Sequence, residues 1–405
     1  MTKMIFSCKY CMINKINNLL LFIYLFNVVF LPNDNFNLKI ISLILLYVIN
    51  ITCFLSLNGA DEKLIFYCGF VLTCITIFCS IVNTGVVLNN IKMGYPGYIL
   101  LLYLIIKKRK LSFKKYFCFI LSLMAVFVCL MGLLDIIQII DLNDNPILLW
   151  LVETENAMVG KGSHLPIYYM IFLKTSPLLF ILLFYSLRDK HYWLSILAII
   201  ALVLSGTRAN IFILLIALSI YFIFVQKRLY KKILAVFILL LVFLFMALNN
   251  FDLIIDIFVR KSSSDDVRSG HLQGILEVWN QDPLSLIVGS GYSAEFYSYG
   301  RNALVSNIEL SYWNLLRQVG LICFIPMLYM YIYPLYRLIL RHKYTETLPY
   351  LCYLIIAYTN PFLYSSTGIT LLVFEYIEAF NANRIKQYKC RSVISLLSPN
   401  NTIKI

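Results

Sequence analysis

Apolar residues in this chain fall in long unbroken runs separated by short polar breaks. A stretch such as Leu194–Leu204 shows no alternation of apolar and polar side chains, which excludes the strands of a transmembrane β-barrel. Runs approaching about 20 apolar residues have the length an α-helix needs to cross a hydrocarbon layer. About twelve such runs are read, near 17–32, 38–58, 64–82, 93–106, 116–140, 166–187, 192–205, 210–225, 232–249, 310–336, 347–362 and 366–380. The expected fold class is an all-α polytopic membrane protein with about twelve transmembrane helices and one large extracytoplasmic loop carrying short helices.

The breaks divide the chain. Residues 1–140 read as about five N-terminal spans, 141–165 as an extracytoplasmic loop, and 166–249 as central spans with a tight outer turn at 205–210. Residues 250–309 read as a large extracytoplasmic loop with a helix near Gly270–Asn280. The C-terminal spans follow at 310–380, then a basic cytoplasmic tail at 381–405. The N-terminus has the basic start and apolar run of a signal peptide. Leu31-Pro32-Asn33 offers no small-residue cleavage site, so it reads as a signal anchor.

Composition supports the pattern. Hydrophobic residues make up 61% and charged residues 13%, with a mean hydropathy of +0.81, far from the balance of a soluble domain. The net charge of +14 would suggest nucleic acid in a soluble protein, but its distribution points elsewhere. Of the 34 Lys and Arg, 24 lie on one face of the expected topology, in runs such as Lys107-Lys108-Arg109-Lys110 and Lys227-Arg228 with Lys231-Lys232. The positive-inside rule makes that face, and both termini, cytoplasmic. Nucleic acid is therefore not an expected partner; membrane lipid is. None of the eleven cysteines falls in either long outer loop, so no disulfide framework is expected. The lone Cys8-Lys9-Tyr10-Cys11 pair lacks the further ligands a zinc site needs.

Charges in or beside the hydrocarbon layer are costly and become site candidates. Asp135, Lys174, Arg208, Glu309 and Arg317 fall near outer span ends, and Arg260, Lys261, Arg268, His271 and Arg301 lie in the large loop. Lys161 and His164, in the first outer loop, could line the same cavity. Ser205-Gly206-Thr207-Arg208 makes a tight turn that sets an arginine at the membrane boundary, either as an anion ligand at a helix start or as a snorkelling anchor. Arg268 and His271, three apart, would share a helix face, suited to an anionic substrate or to a solvated helix start. Glu309 and Arg317, eight apart, would lie about 12 Å apart along one helix. Gly289-Ser290-Gly291 has no strand–helix context for dinucleotide binding and reads as a loop turn. Lys174 and Asp135 could pair between helices or belong to an ion path.

The order of these features resembles the O-antigen polymerase and O-antigen ligase superfamily of bacterial polytopic membrane glycosyltransferases. The matching pieces are Ser205–Arg208, Arg268 with His271, Asn280-Gln281-Asp282-Pro283 through Gly289-Ser290-Gly291, and Glu309 with Leu315-Leu316 and Gly320-Leu321-Ile322. Ligases of that superfamily carry a His-Asn pair eleven residues before the glycine; here the position is Glu309, which favours the polymerase branch. The resemblance implies transfer of a glycan from undecaprenyl pyrophosphate to a sugar hydroxyl of an incoming lipid-linked repeat unit, in the synthesis of lipopolysaccharide O-antigen or capsule. It implies pyrophosphate binding by Arg208, Arg268, Arg317 and Arg301, and catalysis by Glu309 and His271. No cofactor or metal is implied, and a flippase and a chain-length regulator of the same pathway are implied partners. A ligase-type transferase or a lipid-linked oligosaccharide flippase are the alternatives; the absence of two related halves with broken helices weighs against a transporter.

Overall fold

The computed structural model describes residues 2–33, 36–161, 169–225 and 261–380, with the backbone alone at 2–11, 161, 169, 208, 225 and 261–264. The expected span at 232–249, the basic run at Lys227–Lys232, Arg260, His164 and the tail 381–405 lie outside the described residues.

The chain is mostly helical. In order come α1 (Thr2–Phe30), α2 (Leu38–Ile49), α3 (Ala60–Thr84, with a wide turn at Tyr67–Leu72), α4 (Val87–Gly94), α5 (Leu102–Arg109), α6 (Phe113–Ile136), α7 (Pro146–Glu153), β1 (Ala157–Lys161) and β2 (Tyr169–Leu173). Then follow α8 (Leu179–Arg188), α9 (Tyr192–Leu204), α10 (Arg208–Ile220), α11 (Lys261–Gln281), α12 (Pro283–Val288), β3 (Phe296–Ser298), β4 (Ala303–Val305), α13 (Ser311–Leu340), α14 (Tyr344–Ile356) and α15 (Ser366–Phe380). Four helices among the described residues are long and apolar enough to cross a membrane: Met12–Phe30, Ala60–Thr84, Phe113–Ile136 and Ser311–Leu340. Shorter apolar helices, such as Tyr192–Leu204, pack among them.

Two antiparallel hairpins join the helices, β1–β2 and β3–β4. The first corrects the expected span at 166–187. Its opening residues Tyr169–Leu173 pair as a strand with Ala157–Lys161, and the helical part begins only at Ser176. A short apolar run satisfies either element, and here a strand partner was available.

The core is built around α15. From Ser366 to Ile377 every residue is buried, the apolar ones among the bundle helices and Ser366, Thr367, Thr370 and Glu375 with them. Tyr24 of α1 meets Thr370 at 2.6 Å, Lys39 of α2 donates to Ser366 Oγ at 3.0 Å, and Tyr376 donates to the Met330 carbonyl at 3.0 Å. At one end of the bundle, basic residues close ion pairs: Lys107 with Asp61 at 2.6 Å, Lys114 with Glu378 at 3.0 Å, and Arg188 with Glu346 at 2.9 Å. These are the residues expected on a single face. The opposite end carries the loops that build the candidate site.

Candidate functional site

The site grows from a small second core. Ile275 of α11, Phe296 of β3, and Ile308 and Leu310 ahead of α13 bury together, with Trp279 and Trp313 packed against them. α11 runs from Lys261 to Gln281, longer than the helix expected near Gly270–Asn280, and lies directly on the β3–β4 hairpin. Gly270 faces the backbone of Gly300 so closely that a Cβ would overlap it. This close approach of helix to hairpin places side chains of α11 beside those of the hairpin.

Four of the expected residues come together there. Ile308 and Leu310 turn into the core, so the intervening Glu309 turns out of it and is 41% exposed. Its carboxylate sits between two guanidiniums: Arg268 Nη2 lies 3.7 Å from Oε2, and Arg301 Nη2 lies 3.8 Å from Oε1. Arg268 also donates to Asp265 one turn earlier at 3.2 Å. His271 is on the same stretch of helix, three residues from Arg268 as expected, but wholly buried. Its Nδ1 is 2.6 Å from Ser298 Oγ, while Nε2 is buried with no partner among the described residues. Burial first, and then the charge of Arg301, push the His271 pKa below the usual histidine value, with Glu309 opposing. The ring is therefore a neutral imidazole near neutral pH.

Arg317 is placed apart from this group. It is fully buried, and its guanidinium donates to the carbonyls of Ala294 at 2.9 Å and Ser306 at 2.7 Å and to Asn314 Oδ1 at 3.2 Å. It also lies over the Phe296 ring at 4.6 Å. All of this ties the 294–306 segment to α13. Nor do Glu309 and Arg317 share a helix, because α13 starts at Ser311. Arg208 opens α10 after the expected turn, with Gly206 at φ 64°; its side chain lies outside the described residues. Lys174 reaches Glu155 at 3.9 Å, and Asp135 accepts from the Leu142 N–H at 3.1 Å. The expectation that these two could pair is thus replaced by separate partners.

α13 is broken at Gly320, whose φ of 66° and ψ of 169° are not helical. The turn at Gly289-Ser290-Gly291 fills the break. Ser290 N–H donates to the Arg317 carbonyl at 2.8 Å, and Gly291 N–H donates to that of Gln318 at 2.9 Å. Gly289 and Gly320 lie backbone to backbone, and a Cβ on either would strike the other. The same turn is fastened to α3 and α4 by Asn83 donating to the Gly289 carbonyl at 2.7 Å, and by Ser293 N–H donating to Asn90 at 3.0 Å. Tyr292 stacks on Tyr364 at 5.7 Å.

Ser298 and this docked turn were not singled out from the residues as parts of the site. Ser298 carries no signal of its own. The paired glycines do, since both need a backbone that other residues rarely adopt. Among the described residues no three His, Cys, Asp or Glu side chains converge as metal ligands. Two shallow, open clefts lie at the basic end, one along Lys15, Phe22 and Tyr116, the other along Lys114, Tyr185 and His191; the arginine cluster is a surface site with Arg301 and Glu309 partly exposed. No family model matches the chain, and no similarity to a curated protein or to a solved structure is found.

Proposed function

We propose that the protein is a polysaccharide repeat-unit polymerase of the bacterial cytoplasmic membrane. On this reading about twelve spans cross the membrane with both termini cytoplasmic, and the arginine cluster faces the periplasm or exterior. The observation that carries the reading is Glu309 held between Arg268 and Arg301 beside the buried His271. Two guanidiniums spaced to share one carboxylate are also spaced to share one phosphate group, and arginine suits both through its forked donors.

In the proposed reaction a sugar hydroxyl of the incoming lipid-linked unit attacks the anomeric carbon of the growing glycan. A new glycosidic C–O bond forms as the bond to the diphosphate breaks. Undecaprenyl diphosphate leaves with the electron pair, and Arg268 and Arg301 stabilise its charge. Glu309, the exposed carboxylate, takes the hydroxyl proton. His271 is buried, so its part is to support the site from beneath through its hydrogen bond with Ser298. Arg208, at a helix start, is a further diphosphate ligand on this reading. The glycosyl diphosphate bond supplies the driving force, and a flippase and a chain-length regulator are the expected partners.

The test is surface glycan length in a deletion strain carrying wild type, Arg268→Ala, Arg301→Ala or Glu309→Ala, each at equal membrane abundance. Glycan stopped at one repeat unit with the variants supports the polymerase. Complete loss of surface glycan in the deletion strain points to a flippase or ligase, and variants indistinguishable from wild type overturn the site.

A further inference from the structure

Past the break at Gly320, the outward face of α13 is an apolar stripe. Ile322, Ile325, Tyr329, Ile332, Tyr336 and Ile339 are all exposed, three or four residues apart. From Ile322 to Ile339 the stripe is about 26 Å long, close to the roughly 30 Å of a bilayer's hydrocarbon core. The hydrocarbon boundary therefore falls beside Gly320. α12 ends at the same level, because the Ile287 carbonyl and the Val288 backbone are what a Cβ on Gly320 would strike.

α12 turns an apolar face outward. Leu284 (64% exposed), Ile287 and Val288 are spaced three and four apart and stand free, while Ser285 is buried against the protein. Three polar residues, Asn280, Gln281 and Asp282, precede it, and Asp282 caps its start by accepting the Leu284 N–H at 3.2 Å. An exposed apolar face of this kind, adjoining the end of a span's apolar stripe and preceded by polar residues, suits the boundary between headgroups and acyl chains.

We propose that α12 is an interfacial helix that inserts Leu284, Ile287 and Val288 into the acyl boundary of the bilayer and so holds the arginine cluster at headgroup depth. The occupant is phospholipid rather than protein, because the face abuts the end of a stripe whose length matches the bilayer. The inference deepens the functional reading above, since diphosphates of lipid-linked glycans lie at that depth, but it rests physically only on α13 crossing the membrane.

The test places a photoreactive benzoylphenylalanine, one site at a time, at Leu284, Ile287, Asn280 and Ile322 of the full chain in phospholipid vesicles. Adducts are then read by mass. Phospholipid adducts are expected at Leu284 and Ile287 at a level comparable to Ile322, and about tenfold less at Asn280 on the polar edge. Lipid adducts at Ile322 but not at Leu284 or Ile287 overturn the proposal, as do crosslinks from Leu284 to a second copy of the chain. Equal labelling at Asn280 overturns the assigned orientation. An unlabelled Ile322 removes α13 as a span and the proposal with it. None of these outcomes depends on glycan synthesis, which is judged by the strain experiment.

Discussion

At the residue scale, arginines of one kind divide into two jobs. Arg301 and Arg268 are partly exposed and face a carboxylate, whereas Arg317 is buried and spends its donors on main-chain carbonyls. Arg317→Ala strands the Ala294 carbonyl and Asn314 Oδ1 and leaves the Ser306 carbonyl only the 3.5 Å bond from Gln318, and a buried unmet acceptor costs about 1–3 kcal/mol. The unfolding midpoint in detergent should drop sharply, while Arg301→Ala, which removes a surface ion pair, should change stability by about 1 kcal/mol or less. Activity should rank the other way. Glu309→Gln and Arg301→Lys, measured as glycan extension in vesicles, should each slow it by about 100-fold or more; normal extension by Glu309→Gln would remove the carboxylate as base. His271 gives a pH signature. Its folded pKa lies below the unfolded value of about 6.5, so stability is lost as pH falls through that value toward the lower folded one. Replacing it with Asn should flatten that dependence, and an unchanged pH slope in thermal unfolding would assign the loss to other groups.

At the element scale, the pairing of Gly289 with Gly320 is the joint on which the loop turns into the membrane helix. Gly320→Ala and Gly289→Ala should each cost about 2 kcal/mol or more, from strained dihedrals before any overlap is counted, and should expose the 289–293 turn to protease. The run of α11 past Arg268 and His271 was readable in the chain as a helix with the two on one face. The start of α13 was readable to within one residue, 310 against Ser311, but its break was not. Averaged hydropathy carries from Leu310 past Gly320 despite Ser311, Asn314, Arg317 and Gln318, so it gives one helix, and only the fit to Gly289 some thirty residues earlier tells where it bends. The partners of Arg317 were not readable either: they are carbonyls of Ala294 and Ser306, and a main-chain carbonyl has no letter in a sequence. Likewise Tyr169–Leu173 has the hydropathy of a span and becomes a strand because Ala157–Lys161 lies alongside.

At the scale of the whole molecule, the long apolar helices and the gathering of basic residues at one end were legible, because burial in lipid and charge asymmetry both act on composition. The assembly of loops at the other end was not, since it depends on hydrogen bonds between segments two hundred residues apart, such as Asn83 with Gly289. The proposed orientation can be checked by protease protection in right-side-out vesicles. A peptide tag inserted after Lys190 should be protected and one inserted after Asn302 cleaved; the reverse pattern would place the arginine cluster in the cytoplasm.

The burial of α15 also sets an order of events during synthesis. The helix at the axis of the bundle is the last described one to leave the ribosome, so earlier helices reach the membrane before their common partner exists. Until then Tyr24, Lys39 and Lys114 lack the Thr370, Ser366 and Glu378 groups that they meet in the finished protein. A nascent chain halted before Ser366 is a ring without its hub, and should be cleared by membrane quality control far faster than the finished protein.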